Sequence, residues 1–228
     1  MSTKTQRPIP LGLTALVALF SALVALAFAG GHDAAAHNDA SHASPAAISP
    51  EELALRQHMR KLWEDHITWT RLAVISLTTD SPDTQASVGR LLRNQADIGN
   101  AIKPYYGKAA ATKLTALLRE HILIAADLIA AARKGDQEAL ASQQARWRAN
   151  ADEIAAFLSS ANPGSWKPAE MRAMMRSHLR LTTDEVVARL TKNWAADVRS
   201  YDRIHVQILH MADMLSDGLV AQFPARFR

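Results

Sequence analysis

A chain of 228 residues with 48% apolar and 6% aromatic content is long enough for one domain with a substantial core. Its formal charge of +4 falls to +2 once Lys4 and Arg7 of the N-terminal segment are set aside, too weak a surplus to argue for nucleic acid. There is no cysteine, which excludes disulfides, thiol catalysis, iron–sulfur clusters and covalent c-type haem.

Residues 1–29 form the first element. Lys4 and Arg7 precede an uncharged run from Leu11 to Ala29, and Ala27-Phe28-Ala29 before Gly30 has the small-x-small form of a signal-peptidase site. The run is also about as long as a bilayer is thick. It reads as a cleaved export signal, with an uncleaved anchor in the inner membrane as the alternative. Both place the rest of the chain outside the cytoplasm, periplasmic or secreted, with residues 11–29 as the available membrane tether. Residues 30–49 are small and polar and read as a disordered linker. His32, His37 and His42 recur along it. A plain linker is preferred to a metal-capturing tail, because flexible imidazoles lose ordering entropy on chelation.

Residues 50–228 carry a helical pattern throughout. The first helix is expected over Pro50–Thr79, with Met59, Leu62, His66, Trp69, Ala73 and Ser76 on one face. Asp80-Ser81-Pro82 reads as a stop and restart, an N-cap oxygen followed by proline at the first helical position. The second helix runs to about Ile102 and ends before Lys103-Pro104-Tyr105-Tyr106-Gly107, a loop suited to covering one end of a bundle. The third runs from Lys108 to Arg133, with Leu114, Leu117, His121, Ile124 and Leu128 inward. Gly135 and Asp136 mark a glycine C-terminus and a new N-cap. The fourth continues to Ser160, where Asn162-Pro163-Gly164 breaks the chain. The fifth opens at Pro168, with Met171, Met174, His178 and Leu181 inward. The sixth spans Asn193–Val220, with Tyr201, His205, Ile208, Ala212 and Leu215 inward. No segment alternates with period two. Short connections between long helices predict an all-α antiparallel bundle of about six helices. Helices 2–3 and 4–5 also read as an internal repeat, since Asn94, Asp97 and Ile98 match Asn150, Glu153 and Ile154. Leu118-Arg119-Glu120-His121 matches Met175-Arg176-Ser177-His178 in the same way.

Four histidines interrupt apolar stripes near helix middles: His66, His121, His178 and His205. Each unpaired buried imidazole would cost roughly 1–3 kcal/mol, so partners are required. Bundle interiors build metal sites from His, Glu and Asp on facing helices. That gives a candidate set of His66, His121, His178 and His205 assisted by Glu64, Asp97, Glu153 and Asp202, for Zn, Cu, Ni or Fe. Binding would weaken below pH 6.5, the range of free imidazole. The competing reading gives each histidine a carboxylate, amide or tyrosine partner and a purely structural role. Met171, Met174, Met175, Met211 and Met214 read as core filling. There is no phosphate loop, nucleophile elbow or metalloprotease helix.

The blocks Leu62-Trp63-Glu64-Asp65-His66-Ile67-Thr68-Trp69-Thr70-Arg71, Pro104-Tyr105-Tyr106-Gly107, Asn150-Ala151-Asp152-Glu153-Ile154 and Met211-Ala212-Asp213-Met214, with Gln222-Phe223-Pro224, carry a resemblance. The chain resembles a family of small, uncharacterised bacterial all-helical proteins over nearly all of 52–227. Some members bear labels such as acetylglutamate kinase or glycosyltransferase, reactions that normally use α/β nucleotide-binding folds. The resemblance implies the helical fold and no catalytic residues. The expected function is a non-enzymatic extracytoplasmic bundle that binds a transition metal through core histidines. One alternative is a structural or protein-interaction module of the cell envelope. Another is a b-type haem or enzymatic site in the same interior.

Overall fold

The computed structural model describes residues 48–228, so the expected export segment and nearly all of the expected linker lie outside the described residues. Six α-helices follow in order: α1 Pro50–Thr79, α2 Thr84–Ala101, α3 Lys103–Lys134, α4 Gln137–Ala161, α5 Pro168–Leu190 and α6 Trp194–Gln222. A 3-10 turn, Pro224–Arg226, closes the chain, and there is no strand among the described residues.

Local chemistry explains most helix ends. Ser49 caps α1 by accepting from Glu52 N at 3.2 Å, with Pro50 in the first turn and Glu51 and Glu52 facing the positive end of the helix dipole. Gly135 ends α3 at φ 70°, and Asp136 caps α4 through Ala139 N at 3.0 Å, as the Gly-Asp pair predicts. Asn193 caps α6 through Ala196 N at 3.1 Å. The α1–α2 junction differs from expectation. Asp80 ends α1 in the left-handed conformation at φ 58°, as a stop requires, but the restart comes two residues late: Ser81 is not an N-cap, and Pro82 lies in the turn before Asp83 and Thr84. The turn is instead tied by Ser76 Oγ donating to Asp83 Oδ1 at 2.8 Å. The α2–α3 loop also differs. Lys103–Tyr106 already form a helical turn, and Gly107 at φ 81° and ψ 176° kinks the chain before the helix resumes. That backbone conformation lies outside what residues with a Cβ adopt cheaply.

Each helix packs on its chain neighbours, and α6 returns to α1, closing a ring. The short connections make neighbours antiparallel, so α1, α3 and α5 run the same way. Side-chain pairs from α1 to α6 run along the closing seam. Arg60 donates to both carboxylate oxygens of Asp213 at 2.7 and 2.6 Å, and Arg56 reaches Asp217 at 2.6 Å. His205 Nε2 meets Glu64 Oε1 at 3.0 Å.

The interior is layered. At the end where α1 begins, Tyr105, Tyr106, Trp166, Phe223 and Phe227 form an aromatic floor, with Tyr105 and Phe223 centroids 5.4 Å apart. Burial pushes the Tyr106 hydroxyl up to about 12, so it stays protonated as a donor to Gln222 Oε1. Trp166 is 1% exposed and seats directly against the α6 backbone at Gly218. Asn162 fixes that approach, donating to Gly218 O at 2.7 Å. A Cβ at position 218 would overlap the Trp166 indole. Gly218→Ala is therefore expected to cost about 1–3 kcal/mol, typical of overpacking. An unchanged urea midpoint would mean that the indole is free to withdraw.

At the opposite end lies a charge cluster. Arg71 Nη1 donates to Glu185 Oε1 at 2.7 Å, and its two Nη atoms hold Asp197 at 3.0 and 3.1 Å. Arg189 Nη1 reaches Asp197 Oδ2 at 3.1 Å. The guanidinium of Arg71 also covers the Tyr201 ring at 4.7 Å. Between the aromatic floor and the charges sits a layer of histidines.

Candidate functional site

Three of the four expected histidines converge. His66 on α1, His121 on α3 and His178 on α5 are all buried near the middle of their helices. Parallel helices of matched phase bring equal levels together. The His66 and His178 ring centroids are 5.9 Å apart, and those of His121 and His178 are 6.3 Å apart.

Each imidazole is held at Nδ1 by an amide side chain from the next helix. Asn150 Oδ1 lies 2.8 Å from His121 Nδ1, and Gln207 Oε1 lies 3.2 Å from His178 Nδ1. Gln95 Nε2 lies 3.2 Å from His66 Nδ1. All three pairs are separated by 29 residues, so each of the hairpins α1–α2, α3–α4 and α5–α6 contributes one imidazole and one amide. Asn150 also donates to Leu117 O at 3.1 Å, and Asn94 donates to Leu62 O at 3.0 Å, one turn before the histidine in each case.

These bonds determine where each ring carries its proton. Asn150 Nδ2 is committed to a carbonyl, so its Oδ1 accepts from His121 Nδ1 and leaves His121 Nε2 as a lone pair. Gln207 Oε1 accepts from His178 Nδ1 and leaves the lone pair of that ring on Nε2 as well, by this one bond alone. Gln95 Nε2 donates to Leu91 O at 2.8 Å and shares its second N–H between Asn94 Oδ1 and His66 Nδ1, both at 3.2 Å, so His66 accepts there and carries its proton on Nε2. His121 Nε2 is buried with no protein partner.

Burial holds all three rings neutral. It pushes His121 down to about 3, with the neighbouring His178 as the second cause. Burial also sets His66 well below the ordinary imidazole range, helped by His178 and His121, and lowers His178. The expected weakening of binding below pH 6.5 belongs to a free imidazole. In this interior, proton competition for the folded rings starts further into acid.

His121 and His178 line a cavity of about 30 Å³, room for one or two water-sized atoms, walled by Met59, Met175, Met211 and Trp166. A haem does not fit such a space without separation of the helices. Trp147 packs on the outer side of His121 at 5.2 Å, and Trp63 lies edge-on to His66 at 5.6 Å.

The remaining expected ligands lie elsewhere. His205 is partly exposed, pairs with Glu64 and stacks on Tyr201 at 6.2 Å. Asp97, Glu153 and Asp202 are exposed on the outer faces of α2, α4 and α6. The inward stripe at the start of α6 runs through Asp197, Ser200 and Ile204, which rotates His205 toward solvent. Among the described residues, no three His, Asp or Glu side chains stand at coordinating distance as placed. Sequence reasoning missed Gln95 and Gln207 as partners, and it missed the Arg71–Glu185–Asp197 cluster. The recurring histidine-to-amide interval was the available signal for the first.

Comparison with family models, with curated proteins and with solved structures gave no match to this chain.

Proposed function

We propose that this domain is a non-enzymatic, extracytoplasmic metal-binding bundle whose histidine layer, His66, His121 and His178, takes a transition-metal ion. The supporting observation is that the rings of His66 and His121 each lie about 6 Å from that of His178, three neutral imidazoles from three helices, and that His121 and His178 each donate at Nδ1 to an amide oxygen. Metal-bound histidines carry this second bond almost without exception, because it fixes ring direction and tautomer. Ring centroids around a shared ion with metal–nitrogen bonds near 2 Å stand about 5–5.5 Å apart. The His66–His178 and His121–His178 separations each need a closure of under about 1 Å from each side.

A second reading is favoured by one specific fact. Every imidazole already has a protein partner, so the layer is able to fix helix register with no ion at all. In that case the domain is a structural or interaction module of the envelope. Metal analysis of full-length protein purified without a histidine tag separates the two, together with thermal melts in added Zn²⁺, Ni²⁺ or copper. Metal binding predicts about one equivalent and a raised melting temperature, both lost in His121→Leu with His178→Leu. Less than a tenth of an equivalent and no thermal shift would leave only the register role.

A further inference from the structure

The donor set and its surroundings discriminate among metals. Two of the three rings, His121 and His178, present Nε2 lone pairs, while His66 presents an N–H. A tetrahedral three-histidine zinc site needs three lone pairs. Here that requires His66 to change tautomer and the Gln95 amide to rotate away from Leu91 O. An ion satisfied by two nitrogens needs neither change. Two imidazoles on opposite sides of one ion, with bonds near 2 Å, place their centroids about 6 Å apart. His121 and His178 stand at 6.3 Å.

Charge points the same way. The nearest candidate carboxylates, Glu64, Asp97, Glu153 and Asp202, are all exposed. The buried Glu185 and Asp197 are committed to Arg71 and Arg189. The cavity wall is apolar apart from its histidines and tryptophans. A dication would enter this medium with no compensating anion. The solvation penalty of an ion grows with the square of its charge, so a monovalent ion pays about a quarter of it. Three thioether residues, Met59, Met175 and Met211, line the same cavity, and thioether sulfur favours soft monovalent copper over zinc or nickel. Copper(II) prefers four nitrogen or oxygen donors in a square, which this interior does not supply.

We propose that the ion is copper(I), held near-linearly between His121 Nε2 and His178 Nε2, with the cavity methionines as soft outer contacts. This rests on the metal-binding reading above. Asn150 and Gln207 are positioning residues that aim the two rings.

The test is an anaerobic competition of the full-length protein against bicinchoninate for copper(I), with parallel titrations of Zn²⁺ and Ni²⁺. One equivalent of copper(I) withdrawn, with little zinc or nickel taken up, is the expected result. Gln207→Leu, at a half-buried position, is expected to weaken copper(I) binding by about 10–100-fold with the fold retained. Silver(I), a redox-silent mimic, is expected to shift two imidazole ¹⁵N signals together in wild-type protein, a readout that needs no variant to fold. Tighter binding of zinc or nickel than copper(I) overturns this inference and leaves the metal-binding reading standing. No binding of any of the three overturns both. Copper(I) bound without movement of the buried imidazole signals, or undiminished in Gln207→Leu, overturns this assignment.

Discussion

Replacing Arg71 by methionine is expected to destabilise the domain by about 3–5 kcal/mol near pH 8, the largest single-residue loss anticipated here. Arg71 is the shared partner of Glu185 and Asp197, which are 0% and 2% exposed. Methionine keeps much of the stem's packing but strands two carboxylates in the interior. Arg189 still reaches Asp197 at 3.1 Å, so the abandoned charge is chiefly that of Glu185. Burial already pushes Glu185 up to about 7 with Arg71 in place, and the loss of the guanidinium moves it higher. The variant's deficit should therefore shrink as pH falls from 8 toward 5.5, because Glu185 then enters the fold as a neutral acid. Adding Glu185→Gln to Arg71→Met should recover part of the loss at pH 8. Urea titrations at the two pH values check this. A pH-independent deficit, or no rescue by glutamine, would place the damage in packing and not in charge.

Acid should unfold the wild-type domain well before its surface carboxylates are all protonated. In the unfolded chain every histidine takes a proton near pH 6.5. In the fold His121 resists until about 3, and His66 and His178 are shifted in the same direction. Below pH 6.5 the unfolded state therefore binds more protons, and stability that is complete above 6.5 drains as pH falls. His121 alone accounts for about 2 kcal/mol between pH 6.5 and 4.5. Glu185 opposes this. Its folded value near 7 lies above its ordinary 4.5, so its contribution is lost as pH rises and regained as pH falls. One histidine is roughly offset, and two remain. The urea midpoint should fall markedly between pH 7.5 and 4.5, and it should fall further in Glu185→Gln, where the opposing group is gone. A flat profile in both proteins would mean that the histidines are hydrated, not dry.

The helices were legible because caps, breaks and periodicity are local. Ser49, Gly135-Asp136 and Pro168 each act within one turn of themselves, and the structure follows them. The restart of α2 was misread by two residues because Ser81-Pro82 has the form of an N-cap and first helical residue, whereas Asp83, tied to Ser76, precedes the true start at Thr84. The histidine layer was legible in part. His66, His121 and His178 lie on stripes whose phase persists along the whole helix, so their inward direction was readable. His205 was not, because α6 carries polar Asp197 and Ser200 on its buried face, which disguises the true stripe. Asp197 faces inward to meet Arg71, and that pairing spans 126 residues of sequence. The acidic assistants failed for a related reason: Glu64 stands two residues before His66 and so on a different helix face, and Asp202 shares the outward side of α6 with His205.

The seam between α1 and α6 bears on how the chain is made. Of the six helices of the ring, the first to be made finds its ring-closing partner only when the last one has emerged. Until then the inner face of α1, including Met59, His66 and Ile67, lacks the cover that Ile204, Ile208 and Leu215 later provide. The Arg56–Asp217 and Arg60–Asp213 pairs then act as a clasp between the beginning and end of the domain. A chain broken at any of the other five turns and rejoined across this clasp would keep every helix neighbour it has now.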